Sequence, residues 1–246
     1  MLRFFRTLRQ RLLTEGRIGK YLLYAIGEIL LVVIGILLAL QIDDWNERRK
    51  VRKLEIKTLK ELHSDLTQSY QDIEADQNFM EACVVSNEVI LRAITQKLPY
   101  TDSLLPHFSN LYPYQATFSL NQTTYDNIRQ TGSNLITNDS LRIDVSDFYR
   151  GYVNMYREME DRFVENHYEN SVKPMFLESF VFLQGNQMAP RDYSGFTDNA
   201  RYEQLLRYNV RTLQGITRVQ SSMLNGIQNI LERIDAEIAR LSDKKP

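Results

Sequence analysis

Glu28 has the setting that most suggests a chemical role, because it is the only charged side chain within the apolar run of residues 21–40. A carboxylate inside hydrocarbon costs about 2.5–3.5 kcal/mol on insertion scales and marks a functional candidate. Such a group could conduct ions or protons, could bond to a neighbouring helix, or could be tolerated by reaching toward the lipid headgroups. The residue type alone leaves these three alternatives open.

Glu28 shares a helical face with small residues. At 3.6 residues per turn, one stripe along a helix contains Ala25, Glu28, Val32, Gly35 and Ala39. Gly35 and Ala39 are four residues apart, which is the spacing that lets two membrane helices approach closely. The stripe therefore favours self-association of the chain, with Glu28 facing the neighbouring helix.

Other patterns that carry chemistry are missing from the sequence. A helical di-iron site needs glutamate three residues before histidine, but the three histidines follow Lys60, Leu104 and Val164 at that offset. The sequence contains no glycine-rich phosphate loop, serine elbow, HExxH or CxxC motif. The one cysteine, Cys83, has the pattern of a helix core position. We therefore predict no enzyme activity, no catalytic residues, no cofactor and no metal.

Aromatic residues are the remaining candidates for a binding site. They could line a small-molecule or peptide site at the end of the body far from the membrane, or they could fill a core beneath loops, which is the preferred interpretation. The set is Tyr112, Tyr114, Phe118, Tyr125, Tyr149, Tyr152 and Tyr156.

The apolar run itself predicts a transmembrane helix over residues 19–42. At about 1.5 Å per residue it can cross a hydrocarbon layer of roughly 30 Å. A cleaved signal peptide has an apolar region of only about 7–15 residues that ends in small residues at the cleavage site. The best candidate for such a site here, Leu37-Leu38-Ala39, begins with a bulky leucine where a small residue is required. An uncleaved signal anchor is the better interpretation.

Basic residues lie on both sides of this segment. Residues 1–20 hold six basic side chains and one acidic one, and residues 43–60 hold seven basic and four acidic, so the net charge of −1 leaves residues 61–246 acidic. Basic residues suit anionic headgroups, and an acidic body argues against nucleic-acid binding. Residues 1–18 form a basic amphipathic pattern typical of an interfacial helix. Predicted headgroup contacts are Arg3, Arg6, Arg9, Arg11, Arg17, Lys20 and Trp45.

The orientation follows from the residues beside the span. Arg17 and Lys20 abut its start, whereas Asp43 and Asp44 come first after its end. Positive charge favours the cytoplasm. We therefore expect a bacterial inner-membrane protein with a cytoplasmic N-terminus and a periplasmic C-terminal body.

Hydrophobic periodicity predicts an all-α fold, with the transmembrane helix followed by an elongated antiparallel bundle. Residues 43–58 should form a helical stalk, and residues 59–246 a bundle built on two long helices. Prolines and glycines predict loops at residues 98–120 and 184–199. No segment shows a convincing strand alternation.

Two stretches resemble a family of Gram-negative single-pass membrane proteins without an assigned function. The first comprises FFRTLRQRLLTEG, then Gly19-Lys20-Tyr21, Tyr24-Ala25-Ile26-Gly27-Glu28, Val32-Val33-Ile34-Gly35, Ala39-Leu40-Gln41-Ile42 and Trp45-Asn46-Glu47. The second comprises Tyr125, Ile128, Gly132, Leu135, Ile136, Leu141, Arg142 and Phe148-Tyr149. This chain has Asp43 and Asp44 where the family pattern leads us to expect asparagines. The resemblance implies a membrane anchor and a helical body, and it implies no activity or ligand.

These observations favour a membrane-anchored, self-associating interaction or scaffold protein. Its expected partners are the lipid bilayer, further copies of the chain and other membrane or periplasmic proteins. One alternative is a periplasmic, sensor-like ligand-binding bundle in which the loops at residues 98–120 and 184–199 form the pocket and which needs a partner for output. Another is a channel or proton-conducting assembly centred on Glu28.

Overall fold

The computed structural model describes residues 18–112, 120–132, 135–159 and 166–243. Its first helix, α1 (Ile18–Thr95), continues for 78 residues. No proline interrupts α1, and its glycines lie no later than position 35. The chain divides into two units, residues 1–54 with 244–246 and residues 55–243. A single helix therefore passes through the predicted span and stalk and into the second unit.

The end of α1 is a Schellman motif. Lys97 has a φ of 49°, the left-handed conformation that commonly terminates helices. The Lys97 N–H donates to the Ile94 carbonyl at 3.2 Å, and the Leu98 N–H donates to the Ala93 carbonyl at 2.9 Å. Pro99 follows and cannot continue the helix, so α1 ends just before the segment predicted as a loop from residue 98, and the cause is local.

Shorter elements lead to a second long helix. The predicted all-α fold is confirmed, and short elements interrupt both segments that were expected to be loops. In order they are a 3₁₀ turn (Asp102–Leu104), α2 (Leu105–Ser109), α3 (Thr123–Thr131), α4 (Asp139–Met159), a π-helical turn (Tyr168–Val172), α5 (Lys173–Ser179), β1 (Phe180–Phe182), a 3₁₀ turn (Gln184–Asn186), β2 (Met188–Pro190), α6 (Tyr193–Thr197) and α7 (Ala200–Asp243).

The β1–β2 pair was not expected from the sequence. The strands are antiparallel, with Phe180 opposite Pro190 and Phe182 opposite Met188. Hydrogen bonds from the Leu183 N–H to the Gln187 carbonyl and from the Arg191 N–H to the Ser179 carbonyl, both 2.8 Å, extend the pairing. Strands of three residues are too short for alternating hydrophobicity to identify them.

Helices α1 and α7 lie antiparallel in the second unit. His63 pairs with Asp235 at 3.5 Å, Gln77 donates to the Thr217 carbonyl at 2.9 Å, and Lys97 pairs with Asp198 at 3.5 Å. As the residue numbers increase along α1, the residue numbers of their partners decrease. The two long helices thus form the predicted antiparallel pair.

The interior of this unit contains two large hydrophobic clusters. Core A joins α1, α3, α4 and α7, and it includes Leu62, Tyr149 and Ile230. Core B joins the end of α1, the 3₁₀ turn, α2, α5, both strands, α6 and the start of α7, and it includes Phe108 and Phe180. A small cluster that contains Met80, Cys83, Leu213 and Ile216 joins α1 to α7.

Between residues 21 and 42, α1 is apolar on every side except at Glu28 and Gln41. Among the described residues, one helix carries an 18-residue window apolar enough to cross a membrane, with a mean hydropathy of 2.5 and none of the window buried. Leu31 is 73% exposed and Leu38 is 53% exposed, although they belong to the same uninterrupted helix that contributes buried residues to Core A. By length and composition, this segment could serve as a membrane span or a signal anchor.

Candidate functional site

The predicted self-association stripe lies along one side of α1. Ala25 and Glu28 are half-buried, while Val32, Gly35 and Ala39 are exposed. A Cβ atom added to Gly35 would have no heavy atom within 4 Å in the described part of the chain. The backbone at Gly35 is therefore open to another helix. Whether the stripe pairs with a second copy stays a prediction.

The predicted headgroup residues are only partly described. Arg3, Arg6, Arg9, Arg11 and Arg17 lie outside the described residues, and Lys20 belongs to α1 but its side chain is outside the description. Trp45 is 46% exposed. The Arg49 guanidinium lies 5.7 Å from the centroid of its ring, within the range of a cation–π interaction. An aromatic ring and a cation therefore occur together just after the apolar segment.

Within the described ranges, no group of three or more His, Cys, Asp or Glu residues could hold a metal ion. Cys83 is buried, and desolvation raises the pKa of its thiol to about 12. Because the thiolate is the nucleophilic form, this thiol is poorly reactive at neutral pH.

Two buried carboxylates hold the chain segment that precedes α4. Glu55 of α1 is 2% exposed and accepts hydrogen bonds from the Thr137 N–H at 2.7 Å and from its hydroxyl at 2.8 Å. Glu237 of α7 is 3% exposed and accepts one from Asn138 Nδ2 at 3.0 Å. It also accepts a hydrogen bond from Arg240. Because Asn138 Oδ1 also accepts from the Leu141 N–H at 3.2 Å, the α4 N-terminus is fixed between both long helices.

Asp65 of α1 fixes the start of α3 in a similar way. Its carboxylate accepts hydrogen bonds from Asn121 Nδ2 and from the Thr124 N–H, both at 3.0 Å. Such bonds satisfy donors that a helix N-terminus leaves unpaired. The Asn121 carbonyl accepts a hydrogen bond from the Tyr149 hydroxyl at 3.2 Å. Burial, followed by the Asp65 charge, raises the pKa of Tyr149 above its usual range.

The aromatic candidates that are described fill the interior. Tyr125 and Tyr149 stack with centroids 4.2 Å apart, and both are buried in Core A. The Tyr152 hydroxyl lies 2.9 Å from Ser222 Oγ, and the Tyr156 hydroxyl accepts a hydrogen bond from Gln220 Nε2 at 3.0 Å. Tyr112 belongs to Core B, and Tyr114 and Phe118 lie outside the described residues. These contacts favour core packing.

The two segments predicted as loops pack against each other in Core B. Phe108 makes edge-to-face contacts with Phe180, Phe196 and Tyr193 at 5.7, 5.8 and 6.4 Å between centroids. The Tyr193 hydroxyl donates to the Leu98 carbonyl at 2.9 Å. The described parts of the two segments are therefore joined by packed rings, and the ligand-binding alternative stays a prediction.

A groove that the sequence analysis missed lies beside the first turns of α7. Its volume is about 520 Å³, and its lining residues are Ser171, Arg201, Gln204, Leu205, Arg207, Tyr208 and Arg211. Positions 201, 204, 208 and 211 recur at steps of three and four, so they share one face of the helix. That spacing was visible in the sequence, but only the fold brings Ser171 of the π-helical turn beside it.

The fold and these sites define an all-α protein. Its first helix begins with an exposed apolar segment and continues as one of the helices of the body. The chain belongs to a family of unknown function, DUF6090, which it matches over residues 28–173. That range starts at Glu28 and contains the α3–α4 corner held by Glu55 and Asp65, but it ends before α7. No curated protein and no solved structure matches the chain.

Proposed function

We propose that this protein is a self-associating scaffold, without catalytic activity of its own, that α1 anchors in the inner membrane of a Gram-negative bacterium. The observation that carries the proposal is the apolar surface of α1 over residues 23–42. Large aliphatic side chains between Leu23 and Ile42 are 43–78% exposed. Soluble proteins rarely leave so continuous an apolar surface in water, whereas hydrocarbon solvates it.

The stripe through Glu28 supports association between copies. Helices in lipid gain no hydrophobic stabilisation from pairing, so close packing at small residues and hydrogen bonds must hold them together. Gly35 supplies an open backbone position, and Glu28 supplies a group able to hydrogen-bond within the same face. Homo-oligomers formed through this face would display several copies of the body.

The flanking residues support the orientation and the lipid contacts. The arginines of the N-terminal segment and Lys20 match anionic headgroups on the cytoplasmic side, at about 1 kcal/mol per basic residue near the surface. Trp45 matches the opposite headgroup layer. These flanks support a periplasmic position for the acidic body, in which other membrane or periplasmic proteins would bind it.

Protease access to a C-terminal tag tests the orientation. In spheroplasts, external protease should remove the tag while a cytoplasmic control protein stays intact. The physical reason is that the body lies on the periplasmic face, outside the permeability barrier. Complete protection of the tag, with cleavage only after lysis, would reverse the assignment.

Replacement of Gly35 by leucine is expected to weaken association. In membranes, Ala39→Cys should form a disulfide-linked dimer under mild oxidation, since Ala39 lies on the stripe. Adding Gly35→Leu should reduce that dimer about tenfold or more, because a large side chain separates the backbones and a loss of about 1.4 kcal/mol is a factor of ten.

Gly27→Leu is the matched control for this experiment. Gly27 is also a glycine of α1 with no heavy atom within 4 Å of an added Cβ among the described residues, but it lies about 120° around the helix from the stripe. It should leave the dimer unchanged. Equal cross-linking in both glycine variants, or equal cross-linking from Leu37→Cys on the opposite face, would contradict self-association through the stripe.

A further inference from the structure

The groove beside α7 concentrates positive charge on an acidic body. Three of its seven lining residues are arginines and none is acidic, although residues 61–246 are acidic overall. A positive groove of this size lies within the usual range for small-molecule sites, about 300–1,000 Å³. Its charge attracts anions.

Two of these guanidinium groups are available to a ligand. Arg207 donates from Nε and an Nη to Glu203, at 3.0 and 2.8 Å. For Arg201 and Arg211, no carboxylate of the described residues lies within ion-pair distance. Both side chains belong to exposed residues. Since they are ten positions apart on the same helical face, they lie about 15 Å apart along the axis, at opposite ends of the groove.

Neutral groups complete the lining between the arginines. Tyr208 is 46% exposed, and its ring is held by an edge contact with His167, with centroids 4.8 Å apart. His167 is itself held through Nε2, 2.6 Å from Asn209 Oδ1. Ser171 lies in the π-helical turn, and such turns occur frequently at functional sites. The groove thus offers a fixed aromatic face together with hydroxyl and amide groups.

From this geometry we propose that the groove binds a soluble, ring-bearing phosphomonoester. A guanidinium presents paired N–H donors that match phosphate oxygens, Tyr208 supplies a face for the ring, and Ser171 and Gln204 supply further hydrogen bonds. The inference goes beyond the scaffold function and does not depend on it, because every lining residue lies in residues 55–243.

Phenyl phosphate is the probe, and isothermal titration calorimetry on the full chain in a neutral maltoside detergent is the measurement. We expect a dissociation constant below millimolar that weakens as salt is added, because charge attraction is screened. The double variant Arg201→Gln/Arg211→Gln should weaken binding about tenfold or more, since it removes the charge-assisted contact to the phosphate at whichever end of the groove the phosphate binds. Circular dichroism should show unchanged helix content.

Arg218→Gln is the matched control. Arg218 is an exposed arginine of α7 outside the groove, and its Nε donates to the Gln214 carbonyl at 3.0 Å. Its removal should leave the affinity unchanged. Equal weakening in this variant, or no binding at millimolar phenyl phosphate, would overturn the proposal. Benzoate that binds as tightly would overturn the choice of phosphate, and tighter binding of dihexanoyl phosphatidylglycerol would assign the groove to lipid headgroups instead.

Discussion

Replacing Leu31 and Leu38 with lysine is expected to release the protein from membranes into the soluble fraction. A lysine near the middle of a span, as at position 31, costs about 2.5–3.5 kcal/mol. Position 38 is nearer the end of the span, where a lysine reaches the interface more easily, so the pair costs more than one central lysine and less than about 7 kcal/mol. Both residues belong to the exposed apolar surface of α1, and their replacement breaks no contact within Core A or Core B. The measurement is the distribution of the protein between pellet and supernatant after a carbonate wash.

The matched control introduces two lysines into the same helix after the apolar segment. Val51 and Leu54 are 43% and 47% exposed, so Val51→Lys/Leu54→Lys adds the same charge to similar apolar positions. This variant should stay in the pellet. If the Leu31/Leu38 variant also stayed in the pellet, or if the unmodified chain dissolved without detergent, the membrane anchor would be refuted.

Replacing Phe108 with alanine is expected to lower the free energy of unfolding by about 3–5 kcal/mol, the usual cost of truncating a buried phenylalanine. Phe108 is fully buried and contacts three aromatic rings from β1 and the α6 segment. Its loss leaves a cavity where residues 98–112 meet residues 180–196. Denaturant unfolding followed by circular dichroism measures the change.

Phe182→Ala is the control for this prediction. Phe182 lies on β1 and is 62% exposed, so its truncation should change the stability by only about 0.5 kcal/mol. Amide hydrogen exchange adds a local test, because Phe108→Ala should reduce protection around α2 and β2 more than in Core A. Uniform loss of protection across both cores, or equal effects of the two substitutions, would show that Core B is not organised around Phe108.

The stripes of the long helices could be predicted because they depend on local periodicity. Leu59, Leu62 and Leu66 repeat at steps of three and four, and all three are fully buried. Helix α4 was harder. Steps of four and three lead along α4 from the buried Phe148 through Tyr152 to Met155, but Met155 is 40% exposed, whereas Val153 and Tyr156 are buried. Apolar residues occupy two neighbouring stripes of α4, and packing against α7 decides which one faces inward.

The interactions that fix the corner between α3 and α4 could not be predicted. The acceptor for Thr137 is Glu55, 82 positions earlier, and Asn138 donates to Glu237, 99 positions later. In the sequence these carboxylates are ordinary charged residues of amphipathic helices. The groove could not be predicted either. The spacing of its arginines is local to α7, but only the fold brings Ser171 beside them.

The sequence by itself determined the apolar segment, the two long helices and the helical class, because helix periodicity and transfer of apolar side chains from water act between near neighbours or on each residue separately. Only the tertiary structure decided which polar groups are buried together, which aromatic rings close Core B and where positive charge gathers. Those outcomes depend on contacts between residues far apart in the chain, and no spacing within a single segment specifies them.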